Sequence, residues 1–132
     1  MSAFRIIKPD LATASKATAP VKNRPYLSWL HKLPCIVTLQ VTIQAAHLST
    51  ANRAYGHLGR GKGRKASDRW ILPLCQAKHD EQTYLGDELK FWRRYGINPH
   101  VACLTLHGLW TDLGDDATEF ATAIILSREI GR

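Results

Sequence analysis

Two short runs of strand-forming residues, separated by a long basic glycine-rich stretch and followed only by helix-forming segments, constrain this chain more than any other feature. The first run, CIVTLQVTIQAAHL (35–48), is rich in Val, Ile and Thr. In it Ile36, Thr38, Gln40, Thr42 and Gln44 alternate with Val37, Leu39, Val41 and Ile43, which predicts strand. A bend near Leu39–Gln40 would fold this run into a hairpin of its own, although no turn dipeptide marks one. The second run, WILPLC, predicts a short strand ending in a tight turn. Between them residues 49–69, STANRAYGHLGRGKGRKASDR, carry four glycines and six Lys/Arg and read as a long loop.

The flanking segments read as helices. RPYLSWLHKLP places Tyr26, Leu27, Trp29, Leu30 and Leu33 at helical spacing between Pro25 and Pro34, which predicts a short helix at about 25–32. After Cys75, QAKHDEQTY predicts one helical segment. GDELKFWRRYG predicts a second, with Leu89, Phe91 and Trp92 inward and Gly96 as its stop. NPHVACLTLHGLW predicts a third with Pro99 in its first turn, and DDATEFATAIILSREIG a fourth with acids at its start and Gly131 at its end. Helix, strands and helices in that order make an α+β fold. Tyr55, Trp70, Tyr84 and Trp92 sit in or beside regular elements and are expected in the core.

At 132 residues the chain suits one domain, divided into a flexible basic arm over 1–23, a main domain over 24–112 and a C-terminal helix over 113–132 packed on it. Apolar residues make up 45% and charged residues 22%, which argues against disorder. No run of about 18 apolar residues occurs, so no membrane span is expected. Three widely spaced cysteines, Cys35, Cys75 and Cys103, argue for a reducing compartment rather than a secreted disulfide framework. No CxxC pair is present. Cys103, beside Val101 and Leu104, reads as core.

The charge is lopsided. Residues 1–79 hold thirteen Lys/Arg against two Asp/Glu, a net of +11, and residues 80–132 hold five against nine, a net of −4, together the formal +7. A basic half suggests a polyanion surface and hence a nucleic acid as partner, against the bland reading of a merely soluble basic protein. Arg53, Arg60, Lys62, Arg64, Lys65 and Arg69 are the candidate phosphate contacts, and GRGKGRK (59–65) also offers unhindered amides. It does not fit a P-loop, since Ala66 follows Lys65.

His47 ends one expected strand, and His79 follows the second in the next helix. Two histidines so placed could face one another across a small cleft, one as general base and one as metal ligand. The bland reading is a core or cap histidine and a solvated helix residue. Cys35 and Cys75, with His79 four positions after Cys75, could clamp a structural zinc; alternatively both cysteines are small buried hydrophobes.

YLSWLHKLPCIVT, AAHL, GRKASDRWILPLC and GDELKFWRRYGINP occur in that spaced order. The set resembles a family of small bacteriophage and prophage proteins with an HNH-like core. That family is described as uncharacterised proteins or nucleases and is similar to the phage recombination-enhancement nuclease Ref. The resemblance spans roughly Arg24 to Leu106. It implies a ββα-metal (HNH-like) core with a short N-terminal helix and a C-terminal helical segment, a bacterial cytoplasm, and endonucleolytic hydrolysis of DNA with magnesium or manganese. His47 would be the base, His79 a metal ligand, and Asp68 or Asp80 an auxiliary carboxylate. Family members carry a histidine pair after PLC and a further histidine shortly before the next helix. Here those positions read Lys78-His79 and Thr83. A lysine cation and a threonine hydroxyl are poor ligands, so the expected metal affinity falls, unless Asp80 or Glu81 supplies an oxygen. The alternatives are a non-catalytic nucleic-acid-binding protein that keeps a structural zinc, and an interaction protein using helices 86–129.

Overall fold

A computed structural model describes residues 22–59 and 66–132. Helix α1 (Arg24–Leu30) starts where the Asn23 side chain accepts the Tyr26 amide, and the proline in its first turn leaves no amide to satisfy. Tyr26, Trp29 and Leu30, at i, i+3 and i+4, form its buried face. The Trp29 indole donates to Thr118 Oγ1 at 2.9 Å and ties α1 to the far end of the chain.

The strand expected over 35–48 is confined to β1 (Gln44–His47), which pairs antiparallel with β2 (Ile71–Leu74) in the register His47 opposite Ile71. The reason for the shortfall is local. Residues 35–40 close on themselves, the Cys35 amide bonding to Gln40 O and the Leu39 amide to Cys35 O. Leu39 takes a left-handed backbone (φ 67°), so the bend foreseen near Leu39–Gln40 is present, but as a tight loop and not as a hairpin. Alternation of Val, Ile and Thr therefore misleads here, and Val41 is 82% exposed. Pro73 is tolerated in β2 because a two-stranded sheet has only edges, and its carbonyl still accepts the Ile36 amide. Within residues 49–69, Arg53–Tyr55 form a single 3-10 turn closed by an Asn52–His57 bridge.

Helix α2 (Gln76–Leu85) follows β2 directly, with Cys75 at its N-cap, and ends at left-handed Gly86. Helix α3 (Glu88–Arg94) is capped by Asp87, whose side chain accepts the Lys90 amide. Helix α4 (Pro99–Leu113) is capped by Asn98, which accepts the amides of His100 and Val101. The fourth expected helix is split by its DD pair: residues Gly114–Ala117 form a 3-10 turn and α5 runs over Thr118–Leu126.

The fold is thus α+β. All four residues of β2 are buried, and they pack with Phe91 and Trp92 of α3, Ala102, Cys103 and Leu106 of α4, and Ala121 and Ile125 of α5. Cys103 is a core residue, as expected. Trp70 and Trp92 are also core, whereas Tyr84 is 95% exposed, because it lies on the outer face of α2. The segment Gly131–Arg132 closes against the α3–α4 junction, where Gly131 O accepts the Asn98 amide. Among the described residues no helix is long and apolar enough to cross a membrane.

Candidate functional site

His47 is the last residue of β1, and Asp68 lies three residues before β2 begins. Pairing of the strands brings them together: His47 Nε2 is 2.9 Å from Asp68 Oδ1. The other carboxylate oxygen accepts the Asn23 amide at 2.8 Å, so Asp68 is fixed from two sides and is only 9% exposed. An ionised carboxylate only accepts, which puts the hydrogen on Nε2 and leaves Nδ1 as the imidazole's basic nitrogen. Of the two auxiliary carboxylates expected from the sequence, Asp68 is the one beside His47. Asp80 accepts instead from Gln76 on the exposed side of α2.

His79 stands in the second turn of α2. Its Nδ1 is 2.6 Å from Gln44 Oε1, on the first residue of β1, which leaves Nε2 unengaged among the described residues. His47 and His79 line one open cleft of about 530 Å³, together with Ser49, Thr50, Thr83 and Glu88. Thr83 spends its hydroxyl hydrogen on His79 O. The structure therefore brings together the two histidines singled out in the sequence.

The wall of this cleft is held by residues that the sequence did not reveal. Glu88 accepts from the Ser49 amide (3.0 Å), the Thr50 amide (2.9 Å) and Thr50 Oγ1 (2.6 Å), and so pins the chain leaving His47. From the other side two buried imidazoles face the carbonyls of the same segment, His57 Nε2 on Leu48 O at 2.6 Å and His100 Nε2 on Thr50 O at 2.7 Å. His57 Nδ1 accepts the Gly59 amide, and its ring stacks on Trp70 at 4.5 Å. Burial pushes the His57 pKa below the usual imidazole value, so it is neutral at pH 7. A histidine between two glycines in a basic loop reads as exposed; nothing in the local sequence marked its burial. Glu88 carried only the weak signal of an acid in a helix's first turn.

The cysteines meet without His79. Thr38 joins them, its amide bonding to Cys35 Sγ at 3.4 Å and its hydroxyl to Cys75 Sγ at 3.5 Å. Burial raises the Cys35 thiol pKa, but hydrogen bonds from Thr38 and the backbone of Cys75 and Val37 outweigh that and hold it below the usual thiol value. Lys78 is engaged by Glu81 Oε1 at 2.9 Å and Tyr95 Oη at 3.0 Å. Glu81 also accepts from Tyr95 and Arg94, so its carboxylate is fully used. Among the described residues no three His, Cys, Asp or Glu side chains converge to hold an ion. The clamp expected from Cys35, Cys75 and His79 is therefore not assembled. Among the described residues the His cleft offers an ion two free imidazole nitrogens, fewer than the three protein ligands of a catalytic zinc site, and Glu88 is engaged by the Ser49 and Thr50 amides and the Thr50 hydroxyl. That donor set falls short of a zinc centre.

Of the basic residues singled out, Arg60, Lys62, Arg64 and Lys65 lie outside the described residues. Arg53 is exposed on the 3-10 turn, and the Arg69 guanidinium covers the Trp70 ring at 5.1 Å.

No curated protein and no solved structure matches the chain significantly. A family model described as a protein of unknown function, DUF968, matches residues 14–109, which take in α1, the strand pair, α2, α3 and most of α4. The chain belongs to the DUF968 family.

Proposed function

We propose that this protein acts on the phosphodiester backbone of DNA, as a hydrolase of the HNH type. One observation carries the reading: the His47–Asp68 pair at the end of β1 faces the same cleft as His79 of α2. A strand pair running straight into a helix, with one histidine on each, is the arrangement that the resemblance to HNH-like phage nucleases implies. The basic N-terminal half supports a polyanionic substrate.

In this reading His47 Nδ1 takes the proton of the attacking water. Asp68 orients the ring and stabilises the imidazolium that forms, as a buried carboxylate does behind a general base. His79, oriented by Gln44, offers Nε2 to the phosphate, as a hydrogen-bond donor once protonated. These steps use the chain's own residues alone.

The test is conversion of supercoiled plasmid to nicked circles, without added metal and with magnesium or manganese, for wild type and His47→Ala. Cleavage by the wild type and its loss in His47→Ala would support the hydrolase. Intact plasmid under every condition would end that reading. A second reading, DNA binding without cleavage, is favoured by the shortage of metal donors. It expects salt-sensitive binding unchanged by His47→Ala.

A further inference from the structure

A second cleft adjoins the first and differs from it in charge. It encloses about 400 Å³ and is lined by Asn52, Arg93, Asn98, His100 and Arg132, among others, with no Asp or Glu side chain among the described residues of its wall. Arg132 is held rigidly: its Nη1 donates to Tyr95 O and Gly96 O, and its Nε to Arg128 O. Among the described residues its Nη2 has no partner. Arg93 is exposed; its carbonyl accepts the Gly96 amide, but among the described residues its guanidinium has no ion pair or hydrogen bond. Its neighbour Arg94 differs, being neutralised by Glu81 at 3.0 Å. The first-turn amides of α4 do not contribute, since Asn98 Oδ1 already occupies those of His100 and Val101. The cleft therefore presents two guanidinium groups, one braced and one uncompensated, with no Asp or Glu among the described residues that line it.

Its position gives the charge a purpose. Ser49, Thr50 and Glu88 line the histidine cleft, while Asn52 and Leu89 line this one. The two clefts thus lie on either side of the segment 49–52, which Glu88 holds from one side and His100 from the other. Thr50 and Asn52 are separated by at most about 7 Å of extended chain. A strand whose scissile phosphate sits between His47 and His79 would have only this segment to cross to bring a flanking phosphate to the second cleft.

We propose that Arg93 and Arg132 form a site for a flanking phosphodiester, which sets the register of a DNA strand against the His47–His79 cleft. This rests on the DNA reading above. Guanidinium suits the task, since its planar fork matches two phosphate oxygens at once.

The experiment is fluorescence anisotropy of a labelled DNA duplex over a series of salt concentrations, with the full chain. Arg93→Glu is the test variant, because Arg93 braces nothing. Lys32→Glu, at an exposed residue 3.9 Å from Asp115, is the control for the same change of net charge. Arg93→Glu is expected to weaken binding tenfold or more and to lower the salt slope by about one. Lys32→Glu should cost less than about threefold, and Arg93→Lys should retain part of the affinity. Equal losses in Arg93→Glu and Lys32→Glu would overturn the site, as would wild-type affinity in Arg93→Glu. Inorganic phosphate and a mononucleotide are added as competitors. Displacement of the duplex by either at micromolar concentration would mean that the cleft takes small phosphates, which also overturns the proposal. Absence of any duplex binding by the wild type would remove the DNA reading itself. Binding and His47-dependent nicking that are indifferent to Arg93 would remove this inference alone.

Discussion

Asp68→Asn is the sharpest perturbation of the candidate site, because it changes one atom's chemistry and almost no volume. Asp68 makes two hydrogen bonds as an acceptor, one from His47 Nε2 at 2.9 Å and one from the Asn23 amide at 2.8 Å. An asparagine has only one oxygen. If that oxygen stays on the Asn23 amide, the new NH2 faces His47 Nε2, which must lose its hydrogen and become an acceptor. The imidazole hydrogen then moves to Nδ1, and the lone pair that served as base in the cleft disappears. If the amide turns the other way, the NH2 meets the Asn23 N–H and a buried donor is left unpaired. A hydrogen bond to a charged group contributes about 1.5–3 kcal/mol, and an unsatisfied buried donor costs about 1–3 kcal/mol. The first route keeps both bonds at reduced strength, so the expected loss of stability is about 1–2 kcal/mol, a fall in Tm of several degrees.

The direct assay is the ring-nitrogen NMR spectrum of His47. The wild type should show hydrogen on Nε2 near neutral pH, and Asp68→Asn should shift the population to the Nδ1–H form. Nicking, where the wild type supports it, should fall about 10²–10⁴-fold, the usual weight of a general base. Should the wild-type spectrum show Nδ1–H, or should Asp68→Asn leave the tautomer unchanged, Asp68 does not orient His47 and the proposed base fails.

Three further outcomes follow from the geometry. Glu88→Gln removes the charge that gathers the Ser49 and Thr50 amides and the Thr50 hydroxyl; urea unfolding should show a loss of about 1–3 kcal/mol, with faster amide exchange at Ser49 and Thr50. Gly131→Ala forces a non-glycine residue to φ +70° and sets its Cβ 2.8 Å from Ile97 and 2.9 Å from Asn98 O, so thermal melts should show at least roughly 1–2 kcal/mol of destabilisation. Acid should destabilise the fold in two steps. His57 has a lowered folded pKa, so the unfolded chain binds a proton first, and stability falls as pH drops below the ordinary imidazole range. Glu81, lowered to about 2 by hydrogen bonds from Tyr95 and Lys78, loses its contribution as pH falls from the ordinary carboxylate range toward 2. His57→Gln should flatten the first step in melts recorded from pH 8 to pH 4.

The readable parts of this sequence are those where a local signal and the tertiary role agree. Asp87 before α3, Asn98-Pro99 before α4 and the apolar face Tyr26–Trp29–Leu30 are caps and stripes that mean the same thing in a peptide as in the fold. The run 35–43 failed because its β-branched alternation met a competing local closure, Cys35 with Leu39 and Gln40. His47 and His79 could be paired because strand ends and the next helix are adjacent by connectivity alone. The choice between Asp68 and Asp80 was not legible, since it depends on which side of β2 a loop residue falls, and on the Asn23 amide that fixes Asp68 from 45 residues away. His57, His100 and Glu88 act through carbonyls and amides of the segment 48–50, and no side-chain pattern records a bond to backbone.

The same distinction explains how the fold can stand where the resemblance leads one to expect more metal ligands. Lys78 and Thr83 are each engaged locally, Lys78 with Glu81 and Tyr95, Thr83 with the carbonyl of His79. Cys35 and Cys75 are bridged by Thr38 through hydrogen bonds, and both lie in the apolar cluster that also holds Trp29, Trp70 and Trp92. A zinc-dependent small domain unfolds when its metal is removed, because ligand binding supplies its folding energy. Here the region around Cys35 and Cys75 is packed among aromatic and aliphatic side chains, and both sulfurs accept hydrogen bonds from Thr38. Burial of that apolar surface, at roughly 25 cal/mol per Å², is available with no ion. A chelator should therefore leave the thermal melt where it was, and Cys75→Ser should act through packing, at the modest cost of a small polar swap in a core. A Tm that drops by more than about ten degrees with chelator and recovers with zinc would show that an ion, and not the hydrogen bonds of Thr38, holds the two cysteines together.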